Sequence, residues 1–379
     1  MAGLYLHIPF CKQRCIYCDF YFVTSKKHIE EFVNKLVKEI GYWGTFFGPK
    51  QSLDTIYFGG GTPSLLPAEA VAEILHAIDL HFDTTATRER SFELNPDDVD
   101  DVYLRKLRQT GINRLSIGVQ SFFSEDLKWM NRAHSAEEAD NIVPQAREAG
   151  FDNFSVDLIF GLPEQNETHW IKNLTKVISL DVPHLSTYGL TIEPKTPLYK
   201  QVAQGIQHTA SDQTLAHLYQ QTMDVLREAG YEHYEISSFS RPDCRSQHNQ
   251  LYWQHTNYLG IGPSAHSFWQ MPGEPAYRWA NVRNLKKYFQ WNERDAPPQA
   301  FKESVEKEGL ANEYIMLRLR TRDGLDLDVL SSVYGTQLPD PILHPLLNDG
   351  LATVDGHILS LTDRGLLVCD AITAKFFNS

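Results

Sequence analysis

Residues 5–20 read YLHIPFCKQRCIYCDF, and the change of character half-way along decides the fold. Leu4 to Ile8 is a short apolar run, of the kind buried on both faces of a parallel sheet. The run empties into a loop carrying Cys11, Cys15 and Cys18 in the spacing C-x3-C-x2-C. After it, Ile29 to Trp43 repeats apolar residues at Ile29, Phe32, Val33, Leu36, Val37 and Ile40, one stripe of a helix lying on a sheet.

The same rhythm continues. Apolar runs at Thr55 to Phe58, Ser91 to Leu94, Arg114 to Gly118, Phe154 to Ile159 and His184 to Leu190 alternate with segments of helical period. Gly111 and Gly150 stand where helix C-caps belong, just before two of these strands. About six strand–helix units are too few to close an eight-stranded barrel. The expected fold is therefore α/β, a partial (β/α)6 barrel whose site lies at the C-terminal strand ends.

Further on, Thr209 to Gly230 reads as a helix and Tyr234 to Ser237 as an edge strand. A linker with Pro272, Gly273, Pro275, Pro297 and Pro298 follows. From about Phe301 the rhythm becomes helical, with Glu308 to Arg320 and Pro341 to Asn348. Leu351 to Val354 and His357 to Leu361 flank Asp355-Gly356, a hairpin signal, and Thr362 suits the N-cap of a last helix, Asp363 to Phe376. The expected division is a core at 1–236, a segment with linker at 237–300 and a helical, winged-helix-like domain at 301–379.

Composition narrows the function. The chain has 379 residues, 42% hydrophobic, and a net charge of -13. That balance disfavours a nucleic-acid surface, which needs clustered Lys and Arg, and points the winged-helix-like part to packing or a lid. No apolar run approaches the roughly 18 residues of a membrane span, and the N-terminus lacks the pattern of a signal peptide. A soluble, cytoplasmic protein of a reducing compartment is expected. Five cysteines, three of them between positions 11 and 18, suit a metal site better than a disulfide framework. Cys244 and Cys369 read as ordinary thiols.

Three thiolates on one loop can face a common centre. A cubane 4Fe–4S cluster takes four ligands, so three cysteines leave one iron open to an amino and a carboxylate group from outside. A zinc knuckle would need a second cysteine pair, which the chain lacks, and a disulfide would leave one thiol over. Elsewhere, Gly59 to Ser64 (GGGTPS) can present backbone N–H groups to a carboxylate, though a plain turn would look alike. Glu93 in FELNP and Asp157 in SVDLIFGLP are carboxylates within strands, costly to bury without a partner.

At these residues the chain resembles the radical S-adenosylmethionine superfamily, whose C-x3-C-x2-C follows the first strand with an aromatic residue, here Tyr17, before the last cysteine. YLHIPFCKQRCIYCDF is similar to the HemN-like branch of coproporphyrinogen III dehydrogenases, and within it to the haem chaperones. The resemblance implies a radical-SAM barrel. It also implies a cluster on Cys11, Cys15 and Cys18, and S-adenosylmethionine contacts at Tyr5, Tyr17, Gly60, Gly61, Thr62, Glu93, Gln120, Arg132 and Asp157. HNQLYW, residues 248–253, resembles the motif that distinguishes the haem chaperones and implies His248 as a haem ligand, with His266 and His255 as further candidates. The dehydrogenases carry another cysteine where this chain has Phe20, so the resemblance implies a chaperone without their activity. In that case haem is delivered to recipient haemoproteins, membrane respiratory proteins among them, with peripheral placement at the membrane and a homodimer when the cluster is loaded. A radical enzyme acting on a porphyrinogen and a structural scaffold stay open as alternatives.

Overall fold

The structure is a computed structural model that describes residues 2–48, 51–163, 167–271, 273–293 and 295–377. All six apolar runs become parallel strands: β1 (Ala2–Ile8), β2 (Thr55–Gly60), β3 (Glu89–Leu94), β4 (Arg114–Gln120), β5 (Phe154–Phe160) and β6 (His184–Gly189). They pair in sequence order, each parallel to the next. Right-handed crossover through a helix is the default for such pairs. The crossovers contain Ile29–Phe46, Ala68–His81, Asp101–Gln109, Ala136–Glu148 and Glu167–Ser179. Leu4, Leu6 and Ile8 are fully buried, and they pack with Phe32, Leu36 and Ile40 in one core. Each fully buried side chain of this size contributes roughly 1.5–3 kcal/mol. Gly111 and Gly150 take φ of +100° and +89°, the left-handed conformation expected of glycines that end a helix.

The sheet extends beyond both edges of this partial barrel. β7 (Glu232–Glu235) and β8 (Ser238–Ser240) form a hairpin whose second strand runs antiparallel to β6. Residues 237–300 also carry β9 (Asn257–Ile261), parallel to β1, then β10 (His266–Trp269) and β11 (Ala276–Asn281), antiparallel additions. Pro272 of the expected linker lies outside the described residues. The helical rhythm expected from Phe301 is corrected, because Gln299–Val305 is a strand, β12, paired with β11. Its sequence QAFKESV lies almost wholly exposed, so it lacks the apolar alternation that marks a half-buried strand.

One buried carboxylate fastens this extension to the barrel. Glu39, on the helix behind β1, is 0% exposed. It accepts from Gly262 N (2.9 Å), Asn281 Nδ2 (2.7 Å), Tyr288 Oη (2.6 Å) and, more weakly, Trp43 Nε1 (3.4 Å).

The C-terminal part is winged-helix-like, with helices Lys307–Arg318, Leu327–Ser332 and Asp340–Asn348. β13 (Leu325–Asp326), β14 (Ala352–Asp355) and β15 (Ile358–Leu361) form its small sheet, with Asp355-Gly356 at the hairpin turn. It has its own core, including Ile315, Leu330, Leu359 and Phe376. Thr362 caps a helix as expected, accepting from Gly365 N, but the single helix Asp363 to Phe376 is corrected to two, Asp363–Leu366 and Cys369–Phe377. The apolar period runs through both, which hides the break from periodicity. Arg322 ties this part to β7, its Nη2 to His233 Nδ1 at 3.0 Å and its N–H to Tyr234 O at 3.0 Å.

Candidate functional site

Parallel strands end together, so the loops after β1 to β6 meet above one end of the sheet. There they enclose a cavity of about 430 Å³. Eleven of the expected site residues line it: Cys11, Tyr17, Gly60, Thr62, Glu93, Arg132 and their companions Cys15, Cys18, Gly61, Gln120 and Asp157.

The cysteine loop is held from several sides. Cys11 N donates to Val23 O (3.1 Å) and Val23 N to Pro9 O (2.7 Å), closing the loop on itself. Ile16 N reaches Met130 O at 3.2 Å, and Asn131 Nδ2 reaches Arg14 O at 2.7 Å. Lys12 Nζ bridges to Asp97 (2.8 Å) and Asp98 (2.7 Å) on the loop after β3. Lys12 and these aspartates were not singled out from sequence, since no local pattern links position 12 to 97.

Burial pushes the Cys11 and Cys18 thiols up to about 12 and about 11. Opposing it at Cys11, Thr62 Oγ1 donates to Sγ at 3.5 Å, and Arg132 Nη1 donates to Cys15 Sγ at the same distance. Iron ligands must be thiolates, so cations bound at the loop are what would bring these groups to the anionic form. Among the described residues no three His, Cys, Asp or Glu side chains converge on a point fit for a single metal ion. The thiols instead share one wall of a cavity, which suits a ligand several atoms across.

Arg132 joins the thiol loop to the ends of β3 and β4. Its guanidinium donates to Asn95 Oδ1 (2.5 Å) and Gly118 O (2.8 Å), while Nε is buried without a hydrogen-bond partner among the described residues. Asn95 also donates to Thr62 Oγ1 at 3.2 Å. It was missed in the sequence, although it stands two residues from Glu93 in FELNP. A Cβ on Gly118 would come within 3.1–3.3 Å of Gln120, Asn95 and Arg132, and one on Gly61 within 2.7 Å of Phe10 O. At Gly61 the neighbouring backbone leaves no room for a Cβ, and at Gly118 the Gln120, Asn95 and Arg132 side chains already sit against the place one would take. Gln120 is bent into the cavity by a left-handed φ of +66°, unusual for a residue other than glycine.

Two carboxylates form the floor. Glu93 accepts from Tyr57 Oη (2.8 Å) and Gly60 N (3.1 Å), and Asp157 from Ser116 Oγ (3.1 Å). Burial raises Glu93 to about 7 and Asp157 to about 6, and each lifts or feels further charge across the cavity. This donor set fits a 4Fe–4S cluster with S-adenosylmethionine. Three sulfurs face the cavity, backbone amides and Arg132 can take a carboxylate, and two carboxylates can take an ammonium or sulfonium.

Two expected residues do not line the cavity. Tyr5 lies behind it, stacked on Tyr57 with centroids 6.0 Å apart, its hydroxyl 3.2 Å from His7 Nδ1. His248 lies beneath, 1% exposed, its ring 4.9 Å from that of Tyr57. Its Nδ1 pairs with Thr55 Oγ1 (2.7 Å) and its Nε2 with Tyr252 Oη (2.9 Å). Both ring nitrogens thus meet hydroxyls, one from β2 and one from its own helix. His255 is tied likewise, to Tyr334 Oη (3.0 Å) and Glu313 (3.1 Å).

Comparison with known proteins agrees with this geometry. The model of the radical SAM superfamily matches residues 5–177, and that of the HemN C-terminal domain residues 305–368. Heme chaperone HemW of Bacillus subtilis (strain 168) is 33% identical over 384 residues, covering 100% of both chains. Radical S-adenosyl methionine domain-containing protein 1, mitochondrial, of Mus musculus is 34% identical, covering 98% of this chain and 86% of its own. The solved structure of coproporphyrinogen III oxidase (HemN) from Escherichia coli, a radical SAM enzyme, superposes with a TM-score of 0.84 at 26% identity, over 99% of this chain and 89% of that one. With a relative 33% identical over the whole of both chains and the radical SAM model matching residues 5–177, this chain belongs to the HemW family of the radical SAM superfamily.

Proposed function

We propose that the chain is a haem chaperone, binding haem and passing it to recipient haemoproteins. The observation that carries this reading is the full-length likeness to heme chaperones together with Phe20 in place of the dehydrogenases' further cysteine. Cys11, Cys15 and Cys18 hold the cluster. Gly60, Gly61 and Thr62 take the methionine end of S-adenosylmethionine, Glu93 and Asp157 its positive charges, and Tyr17, Gln120 and Arg132 close round it. Tyr5 supports Tyr57 from behind. When bound, the cluster supplies an electron that can cleave this cofactor. Residues 1–236 serve the cofactors, 237–300 brace the barrel, and 301–379 cover it. Among the described residues no helix is long and apolar enough to cross a membrane. A cytoplasmic protein, meeting membrane respiratory recipients peripherally and dimerising when cluster-loaded, completes the proposal.

The superposition on HemN favours a second reading, a radical oxidoreductase acting on a porphyrinogen. Reconstituted protein should bind haem on spectroscopic titration and leave coproporphyrinogen III intact in an anaerobic assay with S-adenosylmethionine. Decarboxylation of that substrate would defeat the chaperone reading.

The floor carboxylates give a proton signature. Glu93 is raised from 4.5 to about 7, so the folded chain holds its proton more tightly than the unfolded one. Its contribution to stability is complete below the unfolded value and is lost as pH rises through the window up to about 7. A cationic cofactor reverses this by favouring the carboxylate. S-adenosylmethionine should thus bind more tightly as pH rises from 5.5 to about 7.5 and release about one proton near pH 6, read by calorimetry in two buffers. Affinity independent of pH, without proton release, would exclude Glu93 from the contact.

A further inference from the structure

Two of the three thiols are the ends of one hydrogen-bonded chain, and Asn95 stands at its middle. The chain runs from Cys15 Sγ through Arg132 and Asn95 to Thr62 and Cys11 Sγ. Its inner members come from the loops after β2, β3 and β4, so only folding closes it.

Each link has one direction. A guanidinium donates and cannot accept, so the atom of Asn95 that meets Arg132 Nη2 at 2.5 Å is Oδ1. That turns Nδ2 toward Thr62 Oγ1 (3.2 Å). Asp98 Oδ2, an acceptor at 3.3 Å on the carboxylate that Lys12 holds, requires the same orientation. Nδ2 offers only hydrogens. The Thr62 hydroxyl therefore accepts from it and keeps its single proton for Cys11 Sγ at 3.5 Å. Thr62 is 4% exposed, so water has little access to that proton.

Asn95 is itself fixed by its backbone. A residue before a proline, here Pro96, is confined to extended conformations, and Asn95 has φ of -104° and ψ of 148°. Its N–H donates to Ser64 Oγ at 3.4 Å and its carbonyl accepts from Asp98 N at 3.2 Å. The side chain is thus delivered between Thr62 and Arg132 in one orientation.

A donor aimed at a cysteine sulfur matters most when a bound cluster is reduced, because the added electron raises the negative charge on the sulfurs. Such donors favour the reduced form and raise the potential. We propose that Asn95 is a positioning residue for the cluster: it holds the Thr62 hydroxyl on Cys11 Sγ and the Arg132 guanidinium on Cys15 Sγ, and so sets how readily the cluster takes up an electron. The proposal rests on the assignment of the cluster to Cys11, Cys15 and Cys18, not on haem binding.

A redox titration of the full chain, reconstituted anaerobically and followed by EPR without S-adenosylmethionine, reads this directly. Asn95→Leu keeps the volume and removes both links. Its iron and sulfide content should equal wild type, while its midpoint potential should fall by about 59 mV, a tenfold loss in the equilibrium for reduction. Thr62→Val should lower the potential too. The shift in Asn95→Leu/Thr62→Val should be smaller than the sum of the two, since both act on the same Cys11 contact. A purely structural role would lower the melting temperature of Asn95→Leu and leave the potential of the folded, loaded protein where it was. That result, or strictly additive shifts, would overturn the proposal. Should Asn95→Leu fail to load, Asn95→Ser, too short to bridge Thr62 and Arg132, repeats the measurement with the same expected direction. Loading lost in both variants would make Asn95 an assembly residue and overturn the tuning role. Wild type without a cluster would instead remove the cluster assignment itself.

Discussion

Arg132→Met should cost the chain its S-adenosylmethionine affinity by on the order of a hundredfold, while leaving the three cysteines in place. The guanidinium is buried between two walls of the cavity, donating to Cys15 Sγ on one side and to Asn95 Oδ1 and Gly118 O on the other. Methionine fills similar volume and donates nothing. Two buried acceptors then lack partners, at about 1–3 kcal/mol each, so stability should fall as well. Arg132→Lys should recover only part of the loss, because an ammonium cannot present two parallel donors in the plane of a guanidinium. Equilibrium dialysis with the cofactor, alongside a urea melt, reads both effects. Wild-type affinity in Arg132→Met would remove the residue from the binding wall.

Glu39→Ala should destabilise the whole core by about 3–5 kcal/mol, the scale for leaving several buried neutral donors without an acceptor at about 1–3 kcal/mol each. Glu39 gathers donors from its own helix, from the turn after β9, from β11 and from the helix Leu285–Phe289. Burial raises its carboxyl above the usual range, which these hydrogen bonds offset. Without it, Gly262 N–H and Asn281 Nδ2 face an apolar interior. Tyr288→Phe deletes a single hydroxyl and should cost only about 1 kcal/mol. Denaturant midpoints for both variants test this, and a shift in Glu39→Ala no larger than in Tyr288→Phe would refute the fastening role.

The six parallel strands were legible because each is a short, doubly buried apolar run, and the glycine C-caps before β4 and β5 stand in the sequence as plainly as in the structure. Strands β9 to β12 were less so. β9 is parallel to β1 but, like the antiparallel β10 and β11, lies outside the strand–helix alternation, and β12 exposes nearly every residue, so no period marks it. In the site, the thiols and the glycine loop are local patterns and could be read directly. Asn95 and the Lys12 clamp depend on contacts between distant loops. For His248, the motif names neighbours in sequence, whereas Thr55 and Tyr57, which meet its ring, come from β2 and only folding brings them there.

Mössbauer spectroscopy of anaerobically prepared protein tests the thiol loop most directly. Wild type should show a 4Fe–4S cluster in which one iron changes its signal on addition of S-adenosylmethionine, and Cys11→Ala/Cys15→Ala/Cys18→Ala should show none. Iron and sulfide absent from wild type, or a cluster unchanged in the triple variant, would contradict it.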